Sequence, residues 1–250
     1  MGIRRVIKRW TRPVMKTNIR QGLSRYWSFI KDWRAYSKMD GAEPIRFLDT
    51  YPQLFDNIPV YSADGHYFYQ DIWAFTKIYS SGVDLHVDVG SNVVFVGFLT
   101  AVTNVEFVDI RPLEAPYLRN FKSISGSILE MPYESGSVKS LSSLHVAEHI
   151  GLGRYGDPLD PLGTKKAAME LSRCLAKGGN LYFSVPVGKP RICFNAHRIH
   201  SPKQIIEYFQ DLKLVELCGT DDNKRFTENI DVGTLENTKY ACGMFWFTKE

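Results

Sequence analysis

Between residues 83 and 250, short apolar runs alternate with segments of helical periodicity, and that alternation limits the fold more than any other feature of the chain. Leu85–Val89, Val105–Ile110, Ser123–Ser127, Val138–Leu144 and Asn180–Val185 read as strands, followed by Lys213–Cys218 and Tyr240–Thr248. Asp71–Tyr79, Val93–Val102, Thr164–Ala176 and Ser201–Gln210 read as helices, and Lys177-Gly178-Gly179 is expected to end the third of them. Strands separated by helices cannot pair as hairpins, so the spacing predicts an α/β fold: a doubly wound, mostly parallel sheet covered on both faces. Seven strands are expected, and the closing pair reads as an antiparallel edge.

The charge is distributed unevenly. Residues 1–38 carry eleven Lys/Arg against the single acid Asp32, a net +10, which leaves −6 on the remainder. The chain therefore divides into a basic amphipathic N-terminal arm (1–40), a Pro/Asp/Gly/Tyr-rich lead-in with a short helix (41–82) and the α/β domain (83–250). In the arm, Leu23, Tyr26, Trp27, Ile30 and Trp33 recur at helical spacing, with Phe29 off that face and Arg25, Lys31 and Arg34 around it. A basic helix with tryptophan on its apolar face suits an anionic membrane surface; packing of the same face on protein is the competing reading. Nucleic acid is not an expected partner, because the acidic body repels a phosphate backbone.

No run of eighteen apolar residues exists, and no apolar run follows the basic start as a secretory leader requires. An organellar presequence stays open. Cys174, Cys193, Cys218 and Cys242 are scattered without a C-x-x-C pair, which fits a reducing compartment and neither a zinc nor a disulfide framework. A cytoplasmic location, peripheral at the membrane through the arm, is expected.

In sheets of this kind ligands sit beyond the carboxyl ends of the strands. The first strand runs through Asp88 into Gly90, where a glycine allows a sharp turn and close approach. The second ends at Asp109, an acid placed to take both hydroxyls of a ribose. The third is followed by Gly126-Ser127-Ile128-Leu129, where a base can lie against apolar side chains. The dinucleotide pattern G-x-G-x-x-G is absent, since the next glycine after Gly90 is Gly97. The loop therefore favours an adenosyl ligand over a dinucleotide.

Asp88-x-Gly90, Asp109, Ile128-Leu129-Glu130-Met131-Pro132 and Ser143-Leu144-His145-x-x-Glu148-His149 follow one another as in class I S-adenosylmethionine-dependent methyltransferases. Leu175-x-Lys177-Gly178-Gly179-x-Leu181 resembles the turn before their fifth strand. Gly153-Arg154-Tyr155-Gly156-Asp157-Pro158 and Phe194-Asn195-Ala196-His197-Arg198 are similar to a methyltransferase-like domain of unknown function from nematodes and bacterial surface-polysaccharide gene clusters. The resemblance spans about residues 83–218. It implies a Rossmann-like fold, S-adenosylmethionine as cofactor and a sugar or glycan precursor as substrate. Asp88, Gly90, Ser91 and Asn92 would lie at the methionine side, with Asp109 and Ile110 at the ribose. Ser127, Ile128 and Leu129 would flank the adenine, and His145 would pack beside the cofactor. Two departures stand out: Asn92 and Val94 replace glycines of the D-x-G-x-G-x-G pattern, and Ser127 replaces the acid that commonly meets the adenine amine.

Methyl transfer to a hydroxyl needs in-line placement and a base. Glu148, His149 and His197 are the catalytic candidates, with His145 and His149 one turn apart if a helix follows the fourth strand. Arg191, Asn195 and Arg198 form a polar set suited to a hydroxyl-rich or anionic substrate. Asp157 and Asp160 lie in turn-forming Asp-Pro pairs, and no metal is expected. Two other functions fit the same sequence: a non-catalytic Rossmann-like subunit binding a partner or membrane through its arm, and a nicotinamide oxidoreductase.

Overall fold

A computed structural model of the chain describes residues 7–11, 19–59, 63 and 65–250. The chain divides into two compact units, residues 1–62 and 63–250.

In the smaller unit, helix α1 (Ile19–Tyr36) carries the aromatic pattern, but its faces differ from the sequence reading. Trp10 stacks on Tyr26 at 5.4 Å and meets Phe29 edge-on at 5.6 Å, and Phe47 lies against both Trp10 and Trp33. Phe29 thus belongs to the packed face, while Leu23 and Trp27 are 61% and 70% exposed. The expected five-residue face is split, because aromatic partners from residues 10 and 47 select positions 26, 29 and 33. Arg25 donates to the Leu54 carbonyl at 2.8 Å and lies over the Phe55 ring.

The larger unit opens with α2 (Gly65–Ser81), six residues ahead of the expected start. There follow β1 (Leu85–Val89), α3 (Val93–Leu99), β2 (Asn104–Asp109), β3 (Phe121–Ser125) and β4 (Val138–Leu144). Next come α4 (Gly163–Cys174), β5 (Leu175–Val187), β6 (Arg191–Cys193), β7 (His197–Ile199) and α5 (Pro202–Tyr208). The last elements are β8 (Lys213–Thr220), β9 (Phe226–Thr227), α6 (Val232–Glu236) and β10 (Ala241–Thr248). Ser201 caps α5 reciprocally with Gln204, and Pro202 occupies its first turn, where no backbone donor is needed.

The sheet has eight strands in the order β3-β2-β1-β4-β5-β10-β8-β9. Five strands from β3 to β5 are mutually parallel. β10 runs antiparallel to both β5 and β8, and β9 adds a short antiparallel pair beyond β8. The closing pair forms the antiparallel side of the sheet as expected, with β10 inside β8: Ala241–Phe247 is buried on both faces but for Trp246, the burial of a central strand. One detail corrects the sequence reading. Lys177-Gly178-Gly179 lies inside β5 as a bulge rather than after a helix. Leu175 pairs with Val138 and Asn180 with Ser140, and Gly178 takes φ +73.

The sheet separates two cores. Leu181, Phe183, Phe245 and Phe247 pack with Leu171 of α4 and Ile205 and Phe209 beside α5. On the opposite face, Tyr182, Met244 and Phe107 pack with Trp73 and Ile78 of α2 and Phe95 and Leu99 of α3. Each such fully buried side chain contributes about 1.5–3 kcal/mol, which fixes the strand ends from which the site is built.

Candidate functional site

The carboxyl ends of β1, β2 and β4 and the loops after them enclose two adjoining cavities. One, of about 330 Å³, lies against Asp109, Ile110, Ser127, Ile128 and Leu129 and is covered by Tyr155–Pro158. The other, of about 310 Å³, is lined by Ser91, Asn92, Glu148, Arg154, His197 and Tyr240 among others. Gly90, His145, His149 and Tyr155 form their common wall.

The turn after β1 is braced from below. Asp88 is fully buried and accepts from the Ser91 backbone at 3.0 Å, the Ser91 hydroxyl at 2.7 Å and the Ser142 hydroxyl. Burial pushes its carboxyl up to about 6 against those three donors. His86 continues the network between Ser140 and Ser142, and its pKa falls to about 3 because it is buried. Asp88 thus shapes the loop and lines neither cavity itself. Gly90 takes φ +69, and a Cβ there would come within 3.0 Å of Val146 and 3.7 Å of the Asp109 carboxylate. Its missing side chain keeps the cavity floor low. Asn92 caps α3 by accepting from the Val94 backbone at 2.8 Å.

Asp109 ends β2 with its carboxylate at the first cavity, accepting from the Arg111 backbone at 2.7 Å. The Arg111 guanidinium lies 3.5 Å from that carboxylate and 4.8 Å from the Tyr155 ring, which also meets Arg154 at 5.1 Å and the His149 ring edge-on at 5.8 Å. Ser127 accepts from the Leu129 backbone at 3.1 Å, which holds the turn that lays Ile128 and Leu129 along the cavity.

No helix follows β4. His145 sits in the left-handed region at φ +55, and only the short 3-10 turn Ala147–His149 comes after it. The expected one-turn spacing of His145 and His149 is therefore absent, yet both imidazoles reach the common wall. His145 Nδ1 lies 2.6 Å from the Gln70 side-chain oxygen. His149 Nδ1 lies 2.6 Å from the Ala196 carbonyl. A carbonyl oxygen accepts only, so both imidazoles carry their proton on Nδ1 and turn Nε2 lone pairs inward. Burial lowers their pKa values to about 3 and about 4. Glu148 is 1% exposed, and burial pushes its carboxyl up to about 8. The 3.6 Å separation between Glu148 Oε1 and His149 Nε2 therefore joins two uncharged groups at neutral pH, not an ion pair. Among the described residues four buried side-chain atoms have no hydrogen-bond partner, and His145 Nε2 and Glu148 Oε2 are two of them. Both residues line the second cavity.

The polar set after β5 is divided. His197 lines the second cavity, with its ring 5.3 Å from that of Tyr240 and its pKa lowered by burial. Arg198 is 5% exposed and donates to the Ile150 carbonyl and, at 2.8 Å, to the Asp160 carbonyl, so it fastens the 150–160 loop instead of facing a substrate. Arg191 and Asn195 are exposed and line neither cavity. Asp157 accepts from the Gly151 and Tyr155 backbones, and Asp160 pairs with Lys166 at 2.6 Å, so both acids are committed within the loop. Sequence reasoning missed Gln70, Arg154, Tyr155 and Tyr240. The Gly-Arg-Tyr-Gly-Asp-Pro run marked two of them, but Gln70 and Tyr240 had no local signal.

Residues 117–240 match the family described as "Caenorhabditis protein of unknown function, DUF268". No curated protein is significantly similar in sequence. Among solved structures, the chain is similar to the N-methyltransferase NodS from Bradyrhizobium japonicum in complex with S-adenosyl-L-homocysteine. That likeness has 13% identity and a TM-score of 0.51, over 79% of this chain and 91% of the other. A second likeness, to geranyl diphosphate methyltransferase in complex with SAM, has 15% identity and a TM-score of 0.51, over 73% and 85% of the two chains. The larger unit thus has the fold of the class I methyltransferases. Among the described residues no helix is long and apolar enough to cross a membrane.

Proposed function

We propose that this chain is an S-adenosylmethionine-dependent methyltransferase acting on a hydroxyl of a sugar or glycan precursor. The observation that carries the reading is the pair of cavities sharing Gly90, His145, His149 and Tyr155. A cofactor that spans both cavities brings its reactive end beside an acceptor held in the second, the proximity and orientation that make a bimolecular transfer fast.

The residues fit the cofactor. Gly90 leaves room that a Cβ would fill, Asp109 offers a carboxylate to ribose hydroxyls, and Ile110, Ile128 and Leu129 give the adenine an apolar slot. Ser91 and Asn92 lie toward the methionine side in the second cavity. When bound, the cofactor supplies an electrophilic methyl group on a sulfonium. Glu148 then serves as base: its bare Oε2 takes the acceptor hydroxyl's proton. A carboxylate with a pKa of about 8 accepts a proton more readily than an ordinary one. His149 Nε2 lies 3.6 Å from the other carboxyl oxygen and stays neutral, while His197 and Arg154 orient the acceptor. The rings of Tyr67, Tyr155 and Tyr240 beside histidine nitrogens combine stacking faces with hydrogen-bonding groups, which suits a polyhydroxylated ring.

The arm supports a second proposal, contact with an anionic membrane surface. Leu23 and Trp27 point away from the Trp10–Tyr26–Phe29 cluster among Lys31, Arg34 and other basic residues.

Calorimetric titration with S-adenosylmethionine and S-adenosylhomocysteine, with NAD as competitor, tests the first proposal. Micromolar binding that NAD does not displace is expected. No binding at millimolar ligand would leave a non-catalytic Rossmann-like subunit, and displacement by NAD would indicate an oxidoreductase.

A further inference from the structure

Gln70 lies on α2, away from the strand ends that build both cavities, and is completely buried. Its side-chain oxygen receives hydrogen bonds from His145 Nδ1 at 2.6 Å, from the Ser184 hydroxyl and, at 4.0 Å, from the Cys242 thiol. Its amide nitrogen donates to the Asp71 carboxylate at 3.1 Å. That last contact sets the direction of the amide, because a carboxylate oxygen accepts and the nitrogen must face it. The oxygen then necessarily faces His145, and a bare oxygen there requires the proton on Nδ1.

The backbone cooperates. His145 adopts φ +55 and donates its own N–H to the Ser184 carbonyl at 2.9 Å, so β5 and α2 grip the residue from two sides. A non-glycine residue stays in this region only where its surroundings over-determine it. What the arrangement delivers is a single lone pair, on His145 Nε2, buried in the wall common to both cavities and without a partner. An unpaired buried acceptor is costly, and a ligand that donates to it recovers that cost.

We propose that Gln70 is a positioning residue that fixes His145 with its Nε2 lone pair toward the common wall, where it accepts a hydrogen bond from a hydroxyl of the methyl acceptor. The inference rests on the methyltransferase reading. It adds a selection rule to that reading: an acceptor lacking a donor at this point leaves the lone pair stranded and binds more weakly.

The test uses the full chain labelled with ¹⁵N-histidine. In the wild type the His145 signals should report a single tautomer, protonated at Nδ1. S-adenosylhomocysteine is added to saturation, followed by methyl α-D-glucopyranoside, mannopyranoside and galactopyranoside as probes. The expected result is a further shift of His145 Nε2 with at least one glycoside. Gln70→Met should mix the tautomers and weaken that glycoside about tenfold, the equivalent of one neutral hydrogen bond, while S-adenosylhomocysteine affinity changes less than about twofold. Gln70→Glu keeps an oxygen facing Nδ1 and should keep the tautomer, a rescue that a merely structural role does not predict. A wild-type His145 protonated at Nε2 overturns the proposal even if neither variant folds. So does S-adenosylhomocysteine binding with no glycoside-dependent shift. If Nε2 shifts with S-adenosylhomocysteine but not with methylthioadenosine, which lacks the amino-acid end, the donor is the cofactor's ammonium and the acceptor assignment falls. Absence of S-adenosylhomocysteine binding overturns the cofactor reading first and this inference with it.

Discussion

The two cavities share a wall but are made differently. The one against Asp109 and Ile128 is assembled from the ends of neighbouring strands, each contributing a short contiguous run, and its polar groups are tied to backbone donors. The one against Glu148 and His197 draws its walls from α2, the turn after β1, the end of β4 and the loop beyond it, β7 and the residue before β10, and it holds two buried polar atoms with no partner. A surface whose hydrogen bonds are complete is shaped for a fixed shape; a surface with stranded acceptors is waiting for particular donors. Function on the first side thus rests on shape and one carboxylate, and on the second side on protonation state.

This contrast can be broken most directly at Glu148. Glu148→Gln should lower methyl transfer by about 10²- to 10⁴-fold, the usual worth of a general base, and leave S-adenosylhomocysteine affinity intact. The wild-type rate should rise with pH through about 8 as the carboxyl loses its proton. The same shift predicts an opposite effect on stability. Between the ordinary carboxyl range and about 8, the unfolded chain has given up a proton that the folded chain retains, so wild-type stability falls as pH rises across that window. The glutamine variant should therefore melt above the wild type at pH 8, with the gap closing toward pH 4. A rate loss accompanied by equal loss of cofactor affinity would erase the distinction between the cavities.

At the other cavity the expected effect is on binding. Asp109→Ala removes up to two hydrogen bonds to a charged acceptor, each worth about 1.5–3 kcal/mol, so S-adenosylhomocysteine affinity should drop by about a hundredfold in calorimetry. Unchanged affinity would disprove the ribose assignment. The shared wall should respond on both sides: Gly90→Ala forces a Cβ toward Val146 at φ +69, costing about 1–2 kcal/mol by thermal melting, and should weaken cofactor and acceptor together. The smallest effect belongs to the arm. Trp27→Glu should reduce co-sedimentation with anionic vesicles a few-fold, on the order of 1 kcal/mol, while cofactor affinity and melting temperature stay put. Equal vesicle binding would end the membrane proposal.

The same contrast explains what could be read from the sequence. Asp109, Gly90 and the Ser127–Leu129 turn sit at strand ends that hydrophobic periodicity locates, so their placement follows once the strands are drawn. Asp88 also sits at such an end, but its capture by Ser91 and Ser142 depends on β4 lying alongside β1, a pairing no local pattern encodes. Arg198 looked like a substrate ligand for the same reason: its partners, the Ile150 and Asp160 carbonyls, are nearly 40 residues or more away in sequence. The Lys177-Gly178-Gly179 bulge was hidden because two glycines after a helical stretch normally mean a helix end. Ala241–Phe247 contains no charged residue, which fits its place as the inner strand of the antiparallel closing pair.

The interior position of that strand has a consequence for the order in which the protein can be assembled. β10 is the last strand among the described residues but lies between β5 and β8, and β8 joins the sheet only through it. As the nascent chain leaves the ribosome, Leu181, Phe183 and Val185 on β5 present an open, apolar sheet margin until residues 241–248 have emerged, more than fifty residues later. A chain stalled in that interval carries two unsatisfied strands, a template for pairing with another copy. Translation pauses between residues 187 and 241 should therefore produce aggregation out of proportion to the length of chain still missing.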